Sequence, residues 1–566
     1  MIGRPARSSA GGRLDAVPIL ALAVYSVAAF LMFGLRVVLA PRLSYVGTGV
    51  DPQIFIWSFA WWPHAVLHGL NPFITHAIWA PDGLNLAWTT SVPGLALLFT
   101  PVTLLAGPVT AFNVAAVLMP AAAAWTGFLL CRHLTGSTWP SLAGGYLFGF
   151  SSYMLGQQEG HLHLTSVFLI PLVALSIVRF LQGTIARRQL SLRLGLLFAL
   201  QISFSTEVFF TLTLAIATGV IIAFVTSPNA RQGLRALLKP LVAAYVLALM
   251  AAGPLVYYAI SGFNGRSINE PRHFAADLLN LVVPTKLLLA TLPERAVVAH
   301  FLGNDSERGA YLGLPVLIAV GMYARLRRST ASGRFLLLCL AVGVLAELGA
   351  SLRVDGRRLV PLPLSLVDRL PLFDNVLPVR LSLYVSLVAA VIVAILAAAS
   401  RSRWVRIALP LLAVITFLPN PGSRAWITEP GNPRFIADQI FRVCLPRGAN
   451  TIVFPPGARG DSMLWQAESG FWFRMAGGYL SPVIPAAFRR FRSAHGALAS
   501  TSTTHDILAL ARAKDAPTVI VDARHAAPWQ TVIPGPPLEV AGVLIFRLPG
   551  SPVTPASCSG TRTART

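Results

Sequence analysis

The sequence predicts an α-helical polytopic membrane protein with about eleven transmembrane helices and a C-terminal α/β domain. Hydrophobic residues make up 55% of its 566 residues and charged residues only 12%, whereas soluble domains carry about 25% charged residues. Apolar runs approaching the length of a membrane-spanning helix, about 17–25 residues, recur up to residue 420. Beyond that residue, short β-rich runs replace them. A bilayer is therefore the expected solvent for most of the chain.

The first apolar run, residues 17–38, is interpreted as a retained helix. It is too long for the short apolar core of a signal peptide, and no convincing small-x-small cleavage site follows it. Ten further runs, several of them short, lie near residues 109–131, 138–155, 164–181, 190–204, 208–226, 238–260, 310–325, 334–350, 378–399 and 405–419.

The loops between these runs alternate in charge. One set, which includes the N-terminus at residues 1–16, contains eighteen arginines and lysines opposed only by Asp15. The other set contains nearly all of the carboxylates that precede residue 420. Because Lys and Arg are retained on the cytoplasmic side, we expect the first set to be cytoplasmic and the second to face outward. The net charge of +23 is then a topological signal, and we expect no nucleic-acid partner.

Residues 17–420 thus form the predicted transmembrane domain, in which two outer loops are long. The first, residues 40–108, contains apolar segments at 53–68 and 92–106 that we interpret as interfacial or re-entrant helices. If 92–106 crossed the membrane, every later basic loop would lie outside, and the tryptophans of 53–68 favour the headgroup level. The second, residues 261–309, has mixed charge and fits either a loop that closes over a substrate or an ordinary solvated loop.

Residues 421–566 form the predicted C-terminal domain, which lies outside the cytoplasm if an odd number of spans precedes it. Alternating strands and helices are typical of a small α/β domain. Its two cysteines, Cys444 and Cys558, either pair in an oxidising compartment or stay apart as free thiols. Residues 470–482 combine aromatic residues and glycines, which fits glycan binding, a membrane-facing surface or a core element. The predicted strands are 451–456, 517–523 and 539–548, and the predicted helices are 433–442 and 503–513.

Asp51 is the first candidate for chemistry because it follows the first helix directly, in YVGTGVDPQIFIW. Its neighbour Pro52 places it at a turn or a helix start. Asp51 is then either a general base or metal ligand at the membrane surface, or the residue that caps the following helix.

A second candidate cluster is the Glu-x-His-x-His segment formed by Glu159, His161 and His163. This spacing places alternate residues on one side of an extended segment. Such groups can bind a divalent cation or a phosphate, although the spacing is not that of a standard zinc site. A polar loop at the membrane interface has the same composition.

Glu207 and Arg380 are further candidates at the predicted outer ends of helices. Glu207 lies between two apolar runs with almost no loop, so it is paired, functional or exposed to water at the boundary. The guanidinium of Arg380 fits either bidentate binding of a lipid phosphate or ordinary interfacial anchoring.

Six segments, taken in their order along residues 15–400, match a known family. They are GTGVDPQIFIWSFAWWPHAV, NPFITHAIWAPDGLNLAW, LLCRHLTGSTWPSLAGGYLFGFSSYMLGQ, EGHLHLTSVFLIPL, GAYLGLPVLIA and LPLFDNVLPVRLSLY. This arrangement resembles the GT-C superfamily of membrane glycosyltransferases, in particular its poorly characterised multispanning bacterial branch.

The resemblance implies transfer of a sugar from a polyprenyl-phosphate carrier to a glycan, lipid or protein acceptor. The reaction would take place at the outer face of the bacterial inner membrane, with membrane lipids as partners. Two alternatives share this architecture, namely a lipid or glycan transporter and a non-catalytic scaffold for envelope assembly. Transporters usually place polar or broken segments at mid-membrane, often with internal repeats, whereas this sequence has few ionisable residues inside the predicted spans and no repeat, and its polar groups concentrate at one face.

The resemblance also implies residue roles, in which Asp51 is the catalytic acidic residue. A divalent metal, Mg or Mn, is an optional cofactor, because histidines replace part of the acidic pair that some family members use for metal binding. The developing charge of the leaving phosphate needs a cation, and the candidate donor-phosphate ligands are Arg380, His161 and His163. Glu207 is a further site candidate without an assigned role, and the candidate metal ligands are Asp51, Glu159, His161 and His163.

Overall fold

The computed structural model describes residues 16–262, 271–291, 295–368, 370, 373–495, 501–549 and 558. Residues 1–15 of the predicted cytoplasmic N-terminus lie outside these ranges, as do Arg266, Glu270 and Glu294 of the predicted outer loop. The chain divides into two compact units. The first comprises Met1–Arg36, Ala115–Gly253 and Gly265–Trp426, and the second comprises Val37–Val114, Pro254–Asn264 and Ile427–Thr566.

The first unit is built almost entirely from helices, with one short antiparallel strand pair, Ser351–Val354 and Arg357–Pro361. Its helices are Val17–Ala29, Phe30–Gly34, Pro108–Thr135 (which begins in the second unit), Thr138–Gly149, Ser152–Gln157, Leu162–Thr165, Leu169–Leu181, Arg187–Phe204, Thr206–Thr226, Arg231–Ala251, Arg295–Ala299, Gly313–Arg327, Ala331–Glu347, Ser382–Ala399, Trp404–Ala408 and Leu409–Thr416.

Within the described ranges, six helical segments are long and apolar enough to cross a membrane, which makes the chain a multi-pass membrane protein. They are Val17–Gly34, Pro108–Thr135, Leu162–Leu181, Thr206–Thr226, Pro228–Ala251 and Pro378–Ala399. Each of the eleven predicted runs contains a helix, but the number of spans is not confirmed as eleven. The other helices are too short or too charged, as with the 12-residue Thr138–Gly149 and with Arg187–Phe204, which carries three arginines.

Side-chain caps fix where several of these helices begin. Ser205 accepts a hydrogen bond from the backbone N–H of Val208 and so caps Thr206–Thr226. Glu207 therefore lies in the first turn of that helix, where a negative charge complements the helix macrodipole.

The second unit combines the helix Asp51–Leu67 with a mixed sheet. Among the described residues the sheet has five strands, in the order Arg474–Met475, Asn450–Phe454, Thr518–Asp522, Val543–Arg547 and Leu538–Val540. The first three strands are mutually parallel and the last two pair antiparallel. The other elements are the strands Ile74–Thr75 and Leu84–Asn85 and the helices Pro93–Leu98, Thr100–Ala106, Gly253–Ser261, Arg434–Ala437, Phe441–Cys444, Ser462–Glu468, Ala486–His495, Thr501–Ala513 and Ala527–Gln530.

The run expected as one strand at 539–548 is divided into two strands by a two-residue turn. Ala541 and Gly542 both have positive φ, 47° and 88°, which is the backbone of a tight hairpin turn whose twist matches its flanking strands. The alanine at the first position concealed this turn, because Asn or Gly is the usual signal.

The segment expected as an interfacial helix at 53–68 forms the helix Asp51–Leu67, but its tryptophans do not lie on an exposed face. Trp57, Trp61 and Trp62 are at most 4% exposed. Each indole N–H donates to a protein acceptor, and these acceptors are the side chain of Gln466 and the carbonyls of Pro72 and Ser91. Protein groups therefore satisfy the polar edges that headgroups were expected to satisfy.

Cys444 and Cys558 form a disulfide bond, which resolves the choice that the sequence left open. The bond joins residues 114 positions apart. Cys131 and Cys339 are free thiols.

We predict that digestion of the unreduced protein yields a linked peptide pair containing Cys444 and Cys558. Substitution of Cys444 by Ala should lower the free energy of unfolding by about 2–5 kcal/mol, because the bond closes a long loop. Mass spectrometry with and without reductant, followed by thermal unfolding of the variant, measures both effects. Cys339→Ala is the matched control and should leave unfolding nearly unchanged. Alkylation of Cys444 in the unreduced protein would contradict the pairing.

Candidate functional site

Asp51 is the first residue of the helix Asp51–Leu67, and Val50 occupies the capping position before it. Pro52 fits this first turn because the N–H that proline lacks has no partner there. The carboxylate of Asp51 is half-buried and lies where a helix macrodipole favours negative charge. Of the turn and the helix start that the sequence allowed, the structure has the helix start, but the alternative in which Asp51 caps this helix is wrong because Val50 is the capping residue.

The hydroxyl of Tyr479 lies 3.2 Å from Oδ1 of Asp51 and donates a hydrogen bond to it. Burial raises the pKa of Tyr479 to about 12, and the charge of Asp51 acts in the same direction. The phenol therefore stays protonated at neutral pH and remains a donor.

Gln53, one half-turn further along the helix, binds the C-terminal segment through both ends of its amide. Its Nε2 donates to Oδ1 of Asp461 at 2.6 Å, and its Oε1 accepts from the backbone N–H of Leu464 at 3.3 Å. Nε2 also lies 3.2 Å from the hydroxyl of Tyr45. The start of the helix is thus held by side-chain hydrogen bonds to residues more than 400 positions away.

Sheet topology explains why Asp461 and Tyr479 lie on the same side. The strands Asn450–Phe454 and Arg474–Met475 are adjacent and parallel, so the loops that follow them leave the sheet at the same edge. Asp461 ends one of these loops and Tyr479 lies in the other. Carboxyl ends of parallel strands are a common location for binding sites in α/β sheets.

The first unit contains a separate buried charge cluster, which we call the Arg380 group: Arg380, Glu207 and Glu307. The guanidinium donates to Oε1 of Glu307 at 3.0 Å and to Oε2 of Glu207 at 2.6 Å. The side chains of Arg380 and Glu307 are 12% and 2% exposed. Two carboxylates around one guanidinium leave a net charge of about −1 when both are ionised, and pairing is what makes their burial tolerable.

The predicted Glu-x-His-x-His cluster lies in the same unit. Gln157 Nε2 donates to the carbonyl of Ser306 and its Oε1 lies 2.7 Å from Nδ1 of His161. The rings of His161 and His163 are 6.1 Å apart. Hydrogen bonding to Gln157 therefore fixes the orientation of His161.

Burial raises the pKa of Glu159 to about 8, and the charges of Asp305 and Glu307 add to the effect. Glu307 behaves in the opposite way, because Arg380 outweighs the effect of burial and holds the pKa of Glu307 below its usual range. At neutral pH Glu159 is therefore mainly protonated while Glu307 is ionised. Sequence reasoning assigned no site role to Glu307, although a carboxylate in a chain so poor in charge was a usable signal.

In the part of the chain that the structure describes, no group of three or more His, Cys, Asp or Glu side chains is arranged to hold a metal ion. Glu159, His161 and His163 of the first unit therefore do not form such a group, and the divalent metal stays a prediction.

We predict that Arg380→Gln destabilises the protein by about 3–5 kcal/mol, because the substitution leaves Glu307 buried without its partner. Thermal unfolding of the detergent-solubilised protein measures this loss of stability. The double variant Arg380→Gln with Glu307→Gln should recover part of it. Arg434→Gln removes an exposed pair with Asp438 and should cost about 1 kcal/mol or less. Equal losses of stability in Arg380→Gln and Arg434→Gln would contradict a buried, structural ion pair between Arg380 and Glu307.

Among the solved structures similar to this chain are those of three membrane proteins. The archaeal oligosaccharyltransferase AglB from Archaeoglobus fulgidus, in complex with an inhibitory peptide and a dolichol-phosphate, has a TM-score of 0.53 at 11% identity, covering 90% of this chain and 69% of its own. The arabinofuranosyltransferase AftD from Mycobacteria has a TM-score of 0.52 at 16% identity, covering 91% of this chain but only 37% of its own. ArnT from Cupriavidus metallidurans, bound to undecaprenyl phosphate, has a TM-score of 0.50 at 11% identity, covering 93% and 97%.

All three are GT-C superfamily membrane glycosyltransferases, so the resemblance predicted from the sequence is confirmed for the fold. No curated protein matches the chain. The family model described as a domain of unknown function, DUF6311, matches residues 21–418. Since this match covers most of the chain, the protein belongs to the DUF6311 family.

Proposed function

We propose that the chain is a membrane glycosyltransferase that moves a sugar from a polyprenyl-phosphate carrier to an envelope acceptor, with Asp51 as general base. The observation that carries the proposal is the half-buried carboxylate of Asp51 at the first helix start after the initial span, held by Tyr479. This is where the resemblance implies the catalytic acid. The fold shared with the lipid-phosphate complexes of AglB and ArnT supports the choice of donor.

In the proposed reaction, Asp51 accepts the proton of an acceptor hydroxyl. The oxygen of that hydroxyl attacks the anomeric carbon of the donor sugar. The bond between that carbon and the phosphate oxygen breaks, and the phosphate leaves with the electron pair. General-base help of this kind contributes about 10²–10⁴-fold.

The leaving phosphate needs positive charge or hydrogen-bond donors, and His161, His163 and Arg380 are the residues we propose for that role. The guanidinium of Arg380 already donates to both glutamates, so a phosphate bound there would compete with Glu207 and Glu307 for its N–H groups.

The disulfide Cys444–Cys558 supports an extracytoplasmic location for residues 421–566, because such bonds persist in oxidising compartments. The charge alternation of the loops supports a cytoplasmic N-terminus and about eleven spans in the bacterial inner membrane, which agrees with the side of the membrane that the disulfide favours for residues 421–566.

We predict that Asp51→Asn lowers turnover at least 100-fold, because the amide keeps the shape of the side chain but cannot accept the proton. Transfer from a panel of polyprenyl-phosphate sugars, measured in nanodiscs, provides the assay. Asp438→Asn is the matched control, since Asp438 is an exposed residue of the same unit. Full turnover by a folded Asp51→Asn protein would reject Asp51 as the base. Absence of transfer by the wild-type protein with every donor would favour the transporter and scaffold alternatives.

Metal dependence is tested in the same assay by EDTA. No group of three or more His, Cys, Asp or Glu side chains among the described residues is arranged to hold a metal ion, and the reaction that we propose uses none. We expect turnover within about twofold of the untreated enzyme after EDTA. Loss of turnover that Mg²⁺ or Mn²⁺ restores would instead support the sequence-based metal prediction.

A further inference from the structure

We propose that Tyr479 is a positioning residue for Asp51, so that the C-terminal segment completes the site at the start of the helix Asp51–Leu67. This inference rests on the proposed role of Asp51. It adds a residue 428 positions away and assigns a function to the segment 470–482, whose sequence fitted several roles.

Close backbone packing fixes the position of Tyr479. A side chain at Gly457 would place its Cβ 2.9 Å from Cβ of Tyr479, and one at Gly478 would come equally close to Ile78. The backbone N–H of Tyr479 also donates to Sδ of Met463 at 3.3 Å. The loop that bears Tyr479 can therefore shift little relative to the helix that follows Asp461.

The first outer loop is joined to the same strand. Ile78 forms a parallel bridge to Met475, and the backbone N–H groups of Trp79 and Ala80 donate to the carbonyls of Gly477 and Met475. The loop that follows Asp51–Leu67 thus extends the sheet edge from which Tyr479 emerges. Both sides of the Asp51–Tyr479 contact are anchored in one sheet.

Several titratable groups surround the start of the helix within the second unit. Tyr45 and Tyr479 carry neutral hydroxyls near Asp51, and Asp461 lies beyond Gln53. Arg524 pairs with Asp461 and Asp522. Arg524 offsets only part of the charge of Asp461, because it is shared with Asp522. The Tyr479 hydroxyl donates to Asp51 and not to Asp461.

The chemical consequence follows from what the hydroxyl does for a carboxylate. A donor at Oδ1 fixes the plane of the carboxylate and stabilises its ionised form relative to its protonated form. An ionised, oriented carboxylate is what a general base requires. Removal of the hydroxyl alone should therefore leave the fold intact but make Asp51 easier to protonate.

The test measures protonation of Asp51 without requiring turnover. The full-length protein in nanodiscs is treated, in the presence of EDTA so that no metal ion competes for Asp51, with a water-soluble carbodiimide and an amine over a range of pH. Labelling at Asp51 is quantified by mass spectrometry. The protonated carboxyl transfers its proton to the carbodiimide and its oxygen then adds to the carbodiimide carbon, so the midpoint of labelling reports the ionisation of Asp51. In Tyr479→Phe we expect the midpoint to rise by about half to one pH unit.

Tyr258→Phe is the matched control, since Tyr258 belongs to the same unit and its hydroxyl accepts from Asn71 instead. Its midpoint should equal that of the wild type. Replacement of Tyr479 by 3-fluorotyrosine strengthens the donor with little change of shape and should lower the midpoint. This variant keeps the test decisive if Tyr479→Phe does not fold. The inference is overturned if the midpoint of Asp51 labelling in Tyr479→Phe equals that of the wild type, or if Tyr258→Phe shifts that midpoint equally.

Turnover separates this inference from the proposed function. If both hold, Tyr479→Phe should lower kcat about tenfold with KM unchanged, and the acid limb of its pH–rate profile should move to higher pH. Full turnover by Asp51→Asn rejects the base role of Asp51 whatever the labelling shows. Loss of turnover in Asp51→Asn, with no labelling shift and no change of kcat in Tyr479→Phe, rejects only the role of Tyr479.

Discussion

The second unit depends on the side-chain amide of Gln466, which is fully buried and joins three stretches of chain. Its Oε1 accepts from the indole of Trp57, and its Nε2 donates to the carbonyls of Ala77 and Phe473. A buried amide that lost any of these partners would incur the cost of an unsatisfied polar group. The helix of Asp51, the outer loop and the C-terminal segment are therefore held together by one network whose members must all be present. The geometry at Asp51 depends on this network.

The sequence was informative where the signal is local. Apolar runs located every helix of the first unit that is long enough to span a membrane, because hydropathy over about 20 residues reports burial in lipid directly. The strands at 451–456 and 517–523 were also predicted within one or two residues. The number of spans could not be predicted with the same accuracy. Helices such as Thr138–Gly149 are apolar, but they are so short that composition does not decide whether they cross the membrane.

The partners of the predicted residues could not be obtained in this way. Tyr479 follows a strand of only two residues, Arg474–Met475, which is too short to give an alternating pattern. Its parallel pairing with Asn450–Phe454 brings Asp461 and Tyr479 to one edge, and no local rule predicts that pairing. Glu307 was hidden for the same reason, since it lies in a loop of mixed charge and meets Arg380 only in the fold.

Arg380 shows how the fold adds a constraint that the sequence does not display. A guanidinium at the head of an apolar helix fits a phosphate, but burial makes pairing obligatory before any ligand arrives. Glu207 and Glu307 supply that pairing and leave the Arg380 group with net negative charge. An anionic phosphate would meet repulsion from the glutamate it does not displace. The first contribution of Arg380 is therefore to pair with the buried Glu307 and the half-buried Glu207, and any role in binding must be compatible with that pairing.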